Sequence, residues 1–311
     1  MDRRTFMKMV GATMAGTAGG TLLTPRTSEA QKAFEQKEFH SILIDTTRCI
    51  GCRRCEKACA EANNLPIPDI SEQANEAIFE KKRKTSETAY TVTNLYETEK
   101  GKVFVPWRCM HCNQPGCRSA CLVYAIKKRE TGHVTWDANC LGCRLCVYSC
   151  PYDLVKWEWY GTIVRLQKCN LCYGRFLKGK LPACVEACPT EALMFGLRRG
   201  LLEEGKRRIA QNPGKYIKRI YGEFEVGGTS HLYLSAVPFN QIGLRTDLGV
   251  KSVPEYSLVY LSAVPFIAAL VPITCFAIAR VVRIEKDAIR KELEKKEGEE
   301  KKKGEEKEKH K

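Results

Sequence analysis

Residues 49–59 read CIGCRRCEKAC, and residues 140–150 repeat the same cysteine spacing as CLGCRLCVYSC. Both stretches follow the pattern C-x2-C-x2-C-x3-C. Two variants of it complete the set, with C-x2-C-x4-C-x3-C in residues 109–121 and C-x2-C-x11-C-x3-C in residues 169–188. These four groups hold sixteen of the seventeen cysteines: Cys49, Cys52, Cys55 and Cys59; Cys109, Cys112, Cys117 and Cys121; Cys140, Cys143, Cys146 and Cys150; Cys169, Cys172, Cys184 and Cys188.

This spacing is typical of ligands to iron-sulfur clusters. Three thiolates on one turning loop can hold three irons of a [4Fe-4S] cubane, and the fourth cysteine, on the helix that follows, points toward a second cluster. The four groups therefore predict four [4Fe-4S] clusters. Disulfides are the usual reason for an even cysteine count in an exported protein, but they do not require three cysteines at a three-residue repeat. A structural zinc site uses only four ligands, commonly two C-x2-C pairs, so the third and fourth cysteines of each group would be surplus.

The basic composition does not indicate a nucleic-acid partner. The chain carries a formal charge of +15, and from His40 to Arg199 it has 24 Lys and Arg against 16 Asp and Glu, an excess of 8. Four oxidised clusters with their thiolates carry roughly −8 in total, so this excess largely balances the cofactors. Six basic residues adjoin the ligands in sequence, where they either stabilise reduced clusters or form ordinary solvated surface: Arg53, Arg54, Arg108, Arg118, Arg144 and Lys168.

The remaining reactive residues form no catalytic constellation. His111 lies between two cysteines of the second group, but that group already has four ligands, so we interpret it as a loop histidine. Cys275 lies in an apolar run and is interpreted as a small apolar filler. The sequence contains no Ser/His/Asp set, phosphate loop or carboxylate pair at a telling spacing. The sequence therefore predicts a protein that transfers electrons and does not itself catalyse a reaction on a substrate.

Residues 1–30 are predicted to be an export signal. Arg3-Arg4-Thr5-Phe6-Met7-Lys8 matches the twin-arginine pattern, and a mild apolar stretch follows it from residue 9 to residue 23. Ser28-Glu29-Ala30 is a weak small-x-small cleavage site. Because this pathway exports folded proteins, clusters assembled in the cytosol can cross the membrane intact.

The carboxyl-terminal part is predicted to contain one membrane anchor. Residues 257–279 carry no charge and would form a helix of about 35 Å, enough to cross a hydrocarbon core of roughly 30 Å. A buried soluble helix pair is the alternative. Arg280, Arg283, Lys286, Arg290 and Lys291 follow the run closely. The positive-inside rule thus places the carboxyl end in the cytosol and the clusters on the periplasmic face of the cytoplasmic membrane.

The fold class predicted for the cluster region is α+β, with two tandem modules that each bind two clusters. Residues 41–45 predict a strand, residues 125–137 a β-hairpin, and residues 201–211 a helix. Residues 225–239 suggest a short strand pair. The predicted parts are the signal at 1–30; the four-cluster domain at 31–199, with an insert at 60–108; an extension at 200–255; a transmembrane helix at 256–282; and a charged tail at 283–311. The charged segment 80–84 predicts that the insert is a surface excursion, interpreted either as a docking surface or as a solvated loop.

The four groups, in this order and with these variants, resemble the ferredoxin-like four-cluster subunits of formate dehydrogenases, of nitrate, polysulfide and dimethyl sulfoxide reductases, and of membrane-bound [NiFe] hydrogenases. The resemblance covers residues 42–196. The signal, the single anchor and the segments 224–229 and 234–239 are similar to the HybA-type subunit of quinone-linked hydrogenase. Some relatives lack a cysteine of the third group and hold a three-iron cluster, but Cys143 is present here.

The resemblance implies a ligand pairing that spacing alone leaves open. It places the first and fourth groups in one bacterial-ferredoxin-like module and the second and third in the other, a nested pairing; a sequential pairing is the alternative. The implied sets are Cys49, Cys52, Cys55 and Cys188; Cys169, Cys172, Cys184 and Cys59; Cys109, Cys112, Cys117 and Cys150; Cys140, Cys143, Cys146 and Cys121.

The partners implied are a catalytic subunit and an integral membrane subunit that reacts with quinone. A hydrogenase small and large subunit pair is favoured as the catalytic partner, and a molybdopterin enzyme or a multihaem cytochrome complex is the alternative. A protein of another class, a binding or scaffold protein stabilised by zinc or disulfides, is the second alternative.

Overall fold

The computed structural model describes residues 38–158 and 166–309, which include all seventeen cysteines. The predicted twin-arginine signal, residues 1–30, lies outside the described residues. The chain divides after Ser252 into two compact units. All four cysteine groups belong to the first unit.

The described chain mixes helices and strands, as the α+β prediction requires. The strands are β1 (His40–Asp45), β2 (Thr91–Thr98), β3 (Gly101–Arg108), β4 (Ile126–Lys128), β5 (Val134–Trp136), β6 (Lys156–Trp157), β7 (Leu166–Gln167), β8 (Leu193–Leu197) and β9 (His231–Leu234). The helices are α1 (Arg54–Ala62), α2 (Glu72–Phe79), α3 (Gly116–Ser119), α4 (Leu145–Tyr148), α5 (Tyr173–Phe176), α6 (Ala183–Glu186), α7 (Arg198–Gln211) and α8 (Val253–Lys309).

A three-stranded sheet joins the two ends of the cysteine-rich region. The predicted strand β1 lies at its centre, antiparallel to β8 and parallel to β9. The predicted helix α7 packs on β1 and β8. The core between them consists of apolar side chains from β1, β9, α7 and the loop after α7: Leu43, Leu201, Tyr216, Ile220, Leu232 and Leu234. This sheet holds the loops of the first and fourth cysteine groups together, because β1 precedes the first group and β8 follows the fourth.

The strand pair predicted within residues 225–239 is wrong. Residues 225–227 and 239–242 form 3-10 turns, and β9 pairs with β1 instead of with a neighbour in sequence. Gly227 and Gly228 have φ angles of 77° and 82°, which break an extended run before β9. All four residues of β9 are buried, so this segment completes the sheet of the cluster unit.

The insert between the first two cysteine groups is folded against its own chain. Ser71 caps α2 by accepting a hydrogen bond from the Ala74 amide, and β2 and β3 form an antiparallel hairpin. Within the charged segment 80–84, predicted to be a surface excursion, Arg83 forms an ion pair of 2.7 Å with the buried Glu56 on α1. The insert therefore supports the first ligand loop. Whether it also docks a partner stays a prediction.

The hairpin predicted after the second cysteine group is confirmed. β4 pairs antiparallel with β5, and Ile126 faces Trp136 in the register. A second pair, β6 with β7, follows the third group. Their apolar side chains pack around two cysteines of these groups in one core: Cys117, Ile126, Val134, Cys146, Val155, Trp157 and Leu166.

The second compact unit is the long helix α8. The stretch 253–296 is the one helix within the described ranges that is long and apolar enough to cross a membrane, and none of its most apolar window is buried. It contains the predicted span 257–279, with Pro265 and Pro272 inside the helix. The helix continues to Lys309, so the charged tail predicted at 283–311 is helical up to that residue.

Candidate functional site

Each cysteine group begins on a loop that turns through a left-handed backbone. The residue two positions after the first cysteine has a positive φ in every group: Gly51 at 73°, His111 at 48°, Gly142 at 75° and Leu171 at 54°. At Gly51 a Cβ atom would lie 2.4 Å from the ring of Phe104, so this position also has no room for a side chain. The repeated turn curls successive cysteines toward one side of the loop, as a cubane requires.

The fourth cysteine of each group is carried away from its loop by a helical turn. Cys59 lies in α1, and Cys121, Cys150 and Cys188 each follow a short helix by two residues. The amide of Ala125 donates to Sγ of Cys121 at 3.1 Å, and the amide of Leu154 donates to Sγ of Cys150 at 3.4 Å. Hydrogen bonds to ligand sulfurs are among the factors that set cluster potentials.

The helices of different groups pack in pairs. α1 of the first group packs against α6 of the fourth, and α3 of the second group packs against α4 of the third. The structure therefore brings together the first and fourth groups, and separately the second and third.

Two thiols of the middle groups each lie among three others. Burial raises the pKa of Cys112 well above its usual value, and charge on Cys150, Cys109 and Cys117 adds to the rise. Burial raises the pKa of Cys146 to about 11, with Cys140, Cys143 and Cys121 as its thiol neighbours. Each of these neighbourhoods takes one cysteine from the other group.

The outer groups show the same exchange of neighbours. Burial raises the pKa of Cys49 to about 11, and the thiols of Cys52 and Cys188 raise it further. Burial also raises the pKa of Cys169 well above its usual value, and Cys59, Cys172 and Cys184 are among the thiols that add to it. Cys109 is a further neighbour of Cys169, so the two pairs of groups approach each other there.

These cysteine sets fit iron-sulfur clusters better than disulfides or single metal ions. All seventeen thiols are free. One cavity is lined by Cys121, Cys140, Cys143 and Cys146. Within residues 38–158 and 166–309, no three His, Cys, Asp or Glu side chains converge closely enough to hold one ion. Zinc would draw its four thiolates onto a single centre, whereas in a cubane each thiolate binds a different iron around a larger core.

The basic residues that adjoin the ligands in sequence differ widely in their environments. Arg108 is fully buried, and Arg53 is buried in an ion pair with Glu56. Lys168 is also buried and donates to the carbonyls of Val134 and Cys169. Arg54 is exposed, whereas Arg118 and Arg144 are half-buried. Solvated surface is thus a correct description for Arg54 but not for Arg108, Arg53 or Lys168.

His111 and Lys128 contribute to the second ligand loop without acting as ligands in any cysteine set. Nδ1 of His111 accepts the amide of Val134 at 3.0 Å, which agrees with its interpretation as a loop histidine. Sequence reasoning missed Lys128, whose ammonium donates to the carbonyls of Cys112 and Gly132. Burial lowers the pKa of Lys128 to about 7, although the thiols of Cys112 and Cys109 act in the opposite direction. The sequence signal that could have identified Lys128 was its position in the predicted hairpin, close to the turn at Gly132.

The comparisons with known proteins agree with this chemistry. The sequence model of the 4Fe-4S dicluster domain family matches residues 101–198, and that of the 4Fe-4S binding domain matches residues 41–65. A protein of Nitratidesulfovibrio vulgaris (strain Hildenborough) is 42% identical over 299 residues, covering 94% of this chain and 80% of that protein.

Two relatives with descriptive names are also similar. Hydrogenase-2 operon protein HybA of Escherichia coli O157:H7 is 34% identical over 284 residues, covering 78% of this chain and 84% of HybA. The iron-sulfur subunit of the nitrate-inducible formate dehydrogenase of Escherichia coli K12 is 35% identical over 202 residues, covering 62% of this chain and 66% of that subunit.

Proposed function

The chain belongs to the family of ferredoxin-like [4Fe-4S] electron-transfer subunits of oxidoreductases, and from this premise we propose that it relays single electrons through four clusters. In this proposal electrons pass between a periplasmic catalytic subunit and a quinone-reactive subunit in the membrane. The chain itself binds no substrate.

The proposed ligand sets are the nested ones. They consist of Cys49, Cys52, Cys55 and Cys188; Cys169, Cys172, Cys184 and Cys59; Cys109, Cys112, Cys117 and Cys150; Cys140, Cys143, Cys146 and Cys121. When bound, each cluster supplies one-electron redox chemistry. The cysteines hold it, and the loop amides and buried cations around them set how readily it accepts an electron.

One observation carries this proposal. In each proposed set, at least one cysteine has thiols of both contributing groups as its neighbours, and for Cys112 and Cys146 these neighbours are the whole remainder of the set. The cavity lined by Cys121, Cys140, Cys143 and Cys146 supports it independently. A sequential pairing would instead place thiols of the second group beside those of the first, and thiols of the fourth group beside those of the third.

We favour a hydrogenase as the catalytic partner. The similarity to HybA extends over 78% of this chain, whereas iron-sulfur subunits of formate dehydrogenases align with 62% to 71% of it. The longer alignment supports the resemblance seen in residues 224–239, beyond the cluster loops. A molybdopterin oxidoreductase is the second candidate because of the similarity to the formate dehydrogenase subunit.

Extraction of the complex with mild detergent tests the relay and its setting together. We expect a copurifying hydrogenase subunit pair. Because that pair carries iron of its own, iron is counted on the chain separated from it, where we expect about sixteen irons and acid-labile sulfide in equal amount. A molybdopterin subunit in its place would overturn the hydrogenase setting and leave the relay standing. Zinc without iron would overturn the relay.

Export through the twin arginines is the basis of the proposed periplasmic location. Changing Arg3 and Arg4 together to lysine keeps the positive charge, yet we expect the cluster unit to stay in the cytosol, because the export receptor recognises the guanidinium pair. Protease accessibility in spheroplasts measures this. A matched change of Arg26 to lysine, downstream of the apolar stretch, should leave export intact. Unchanged accessibility of the double variant would contradict the signal.

A further inference from the structure

Arg108 is a buried arginine without an acceptor in the part of the chain that the structure describes. It ends β3 and is 0% exposed, and none of Nε, Nη1 and Nη2 has a hydrogen-bond partner among the described residues. Arg53, buried to the same degree, donates instead to Glu56, to the carbonyl of Asp69 and to Asn75. A guanidinium has five N–H donors and remains charged in proteins, so an arginine buried without acceptors is costly. The unused donors of Arg108 point to a missing acceptor.

The surroundings of Arg108 identify that acceptor. The groups that interact electrostatically with Arg108 are the thiols of Cys184, Cys55 and Cys169 and the hydroxyl of Tyr233. Arg108 in turn favours the thiolate form of Cys49 and Cys55, and also of Cys59 and Cys172. In the proposed sets these cysteines belong to two different clusters of one module.

The position of Arg108 follows from the insert hairpin. Its register partner is Thr91 on β2, and Thr93 of the same strand has its hydroxyl 3.7 Å from Sγ of Cys55. The end of the hairpin is thereby fixed beside the first ligand loop. The backbone of Arg108 belongs to the segment of the second group, one residue before Cys109, but its side chain lies among cysteines of the first and fourth groups.

We propose that Arg108 bridges the two clusters of the first module, donates N–H groups to sulfurs of both, and makes both easier to reduce. This inference rests on the proposed relay and on its nested ligand sets. Arg108 is a positioning and charge-balancing residue, and it exchanges no electron itself.

The charge balance explains the direction of the effect. One-electron reduction, by the donor next to the cluster in the relay, takes a cluster and its thiolates from about −2 to about −3, and no bond forms or breaks. A fixed positive charge between two such sites favours the reduced state of each, and water screens a buried charge only weakly. Arginine suits this place because its planar fork presents donors in two directions.

Redox titration of the purified complex, monitored by paramagnetic resonance, tests the bridge. In Arg108→Gln we expect the ratio of reduced to oxidised cluster at a fixed potential to fall at least about tenfold at both clusters, which corresponds to about 59 mV for a one-electron couple. Loss of each signal in Cys49→Ala and Cys59→Ala assigns the two clusters. Arg54→Gln is the matched control, because Arg54 adjoins Cys55 in sequence but is exposed. Its potentials should stay near those of the wild type.

A second measurement does not depend on the glutamine variant taking up iron. Arginine labelled with ¹⁵N in the guanidinium should give resolved nuclear couplings on both reduced clusters of the wild-type protein, and Arg108→Lys should abolish them. Unshifted potentials in an iron-replete Arg108→Gln variant, or no such coupling on either cluster, overturn the bridge. Coupling on one cluster alone would show that Arg108 donates to that cluster only, which overturns a bridge between the two clusters. Wild-type protein without iron would count against the relay itself.

Discussion

Replacing Cys188 with alanine is expected to remove or convert the cluster built on Cys49, Cys52 and Cys55. Cys188 lies only four residues beyond Cys184, so a local interpretation would assign both to one cluster. However, Cys188 is a thiol neighbour of Cys49, and the helix before it packs against the helix of the first group. Its lesion should therefore match that of Cys49→Ala.

The reciprocal change should give a different lesion. Cys184 is a thiol neighbour of Cys59, and both adjoin Cys172. Cys184→Ala is thus expected to share its spectral loss with Cys59→Ala. Redox-titrated resonance spectra of the four single variants make the comparison. Cys275→Ala is the control without a lesion, since Cys275 lies in α8 outside the four groups.

The outcomes separate three ligation schemes. If Cys188→Ala matches Cys184→Ala, the cysteines of the fourth group bind one cluster locally. If it matches a variant of the second or third group, the nested arrangement of modules is wrong. A match to Cys49→Ala alone supports the exchange of last cysteines between the first and fourth groups.

Features encoded over short distances were predictable from the sequence. The cysteine spacing, the strand before the first group, the hairpin of β4 and β5, and the helix α7 all depend on residues close together in the chain. The apolar run within α8 has the same property, because an uncharged stretch of 23 residues needs no partner to be recognised.

The partner of β9 was not predictable in this way. β9 pairs with β1, and Ile42 lies opposite His231 in the register. Most of the sequence of the first unit separates these two residues. Periodicity identifies a strand but does not identify its partner, and the apolar segments on both sides of β9 made a local pair look plausible. The choice depends on which sheet edge is left open once β8 has paired with β1.

The insert hairpin was missed because β2 buries polar side chains beside the apolar Val92, which hides the alternation typical of a strand. Thr91, Thr93 and Asn94 of β2 are buried, whereas a typical half-buried strand buries alternate apolar residues. Thr93 faces the first ligand loop, where its hydroxyl approaches Cys55, whereas the Asn94 side chain bonds the backbone of Arg83. The same cause hid Arg108, since a basic residue before a cysteine is equally compatible with solvent. Burial of polar groups beside a cofactor is a tertiary property.

Glu56→Gln is expected to cost about 3 kcal/mol of stability, because it leaves buried positive charge without its counter-charge. Glu56 lies on α1 with its side chain 4% exposed, and its carboxylate pairs with Arg83 at 2.7 Å and with Arg53 at 3.2 Å. The amide of Thr93 also donates to it. Glutamine keeps the shape and an acceptor for that amide, but its NH2 group meets the N–H donors of Arg53 and Arg83, so the loss combines the charge with these two hydrogen bonds. Arg53 retains two other acceptors, which places the effect at the lower end of the range for broken buried pairs.

The position of Glu56 predicts which clusters bleach first in urea when this stability is lost. Glu56 follows Cys55 directly and ties the insert to the first ligand loop, so the variant should bleach the clusters of the first and fourth groups at a lower urea concentration than wild type. Visible absorbance with resonance spectra at each step measures the order. Glu61→Gln, an exposed change on the same helix, is the control and should bleach like wild type. Simultaneous bleaching of all clusters at the wild-type urea concentration would show that the insert does not support the first ligand loop.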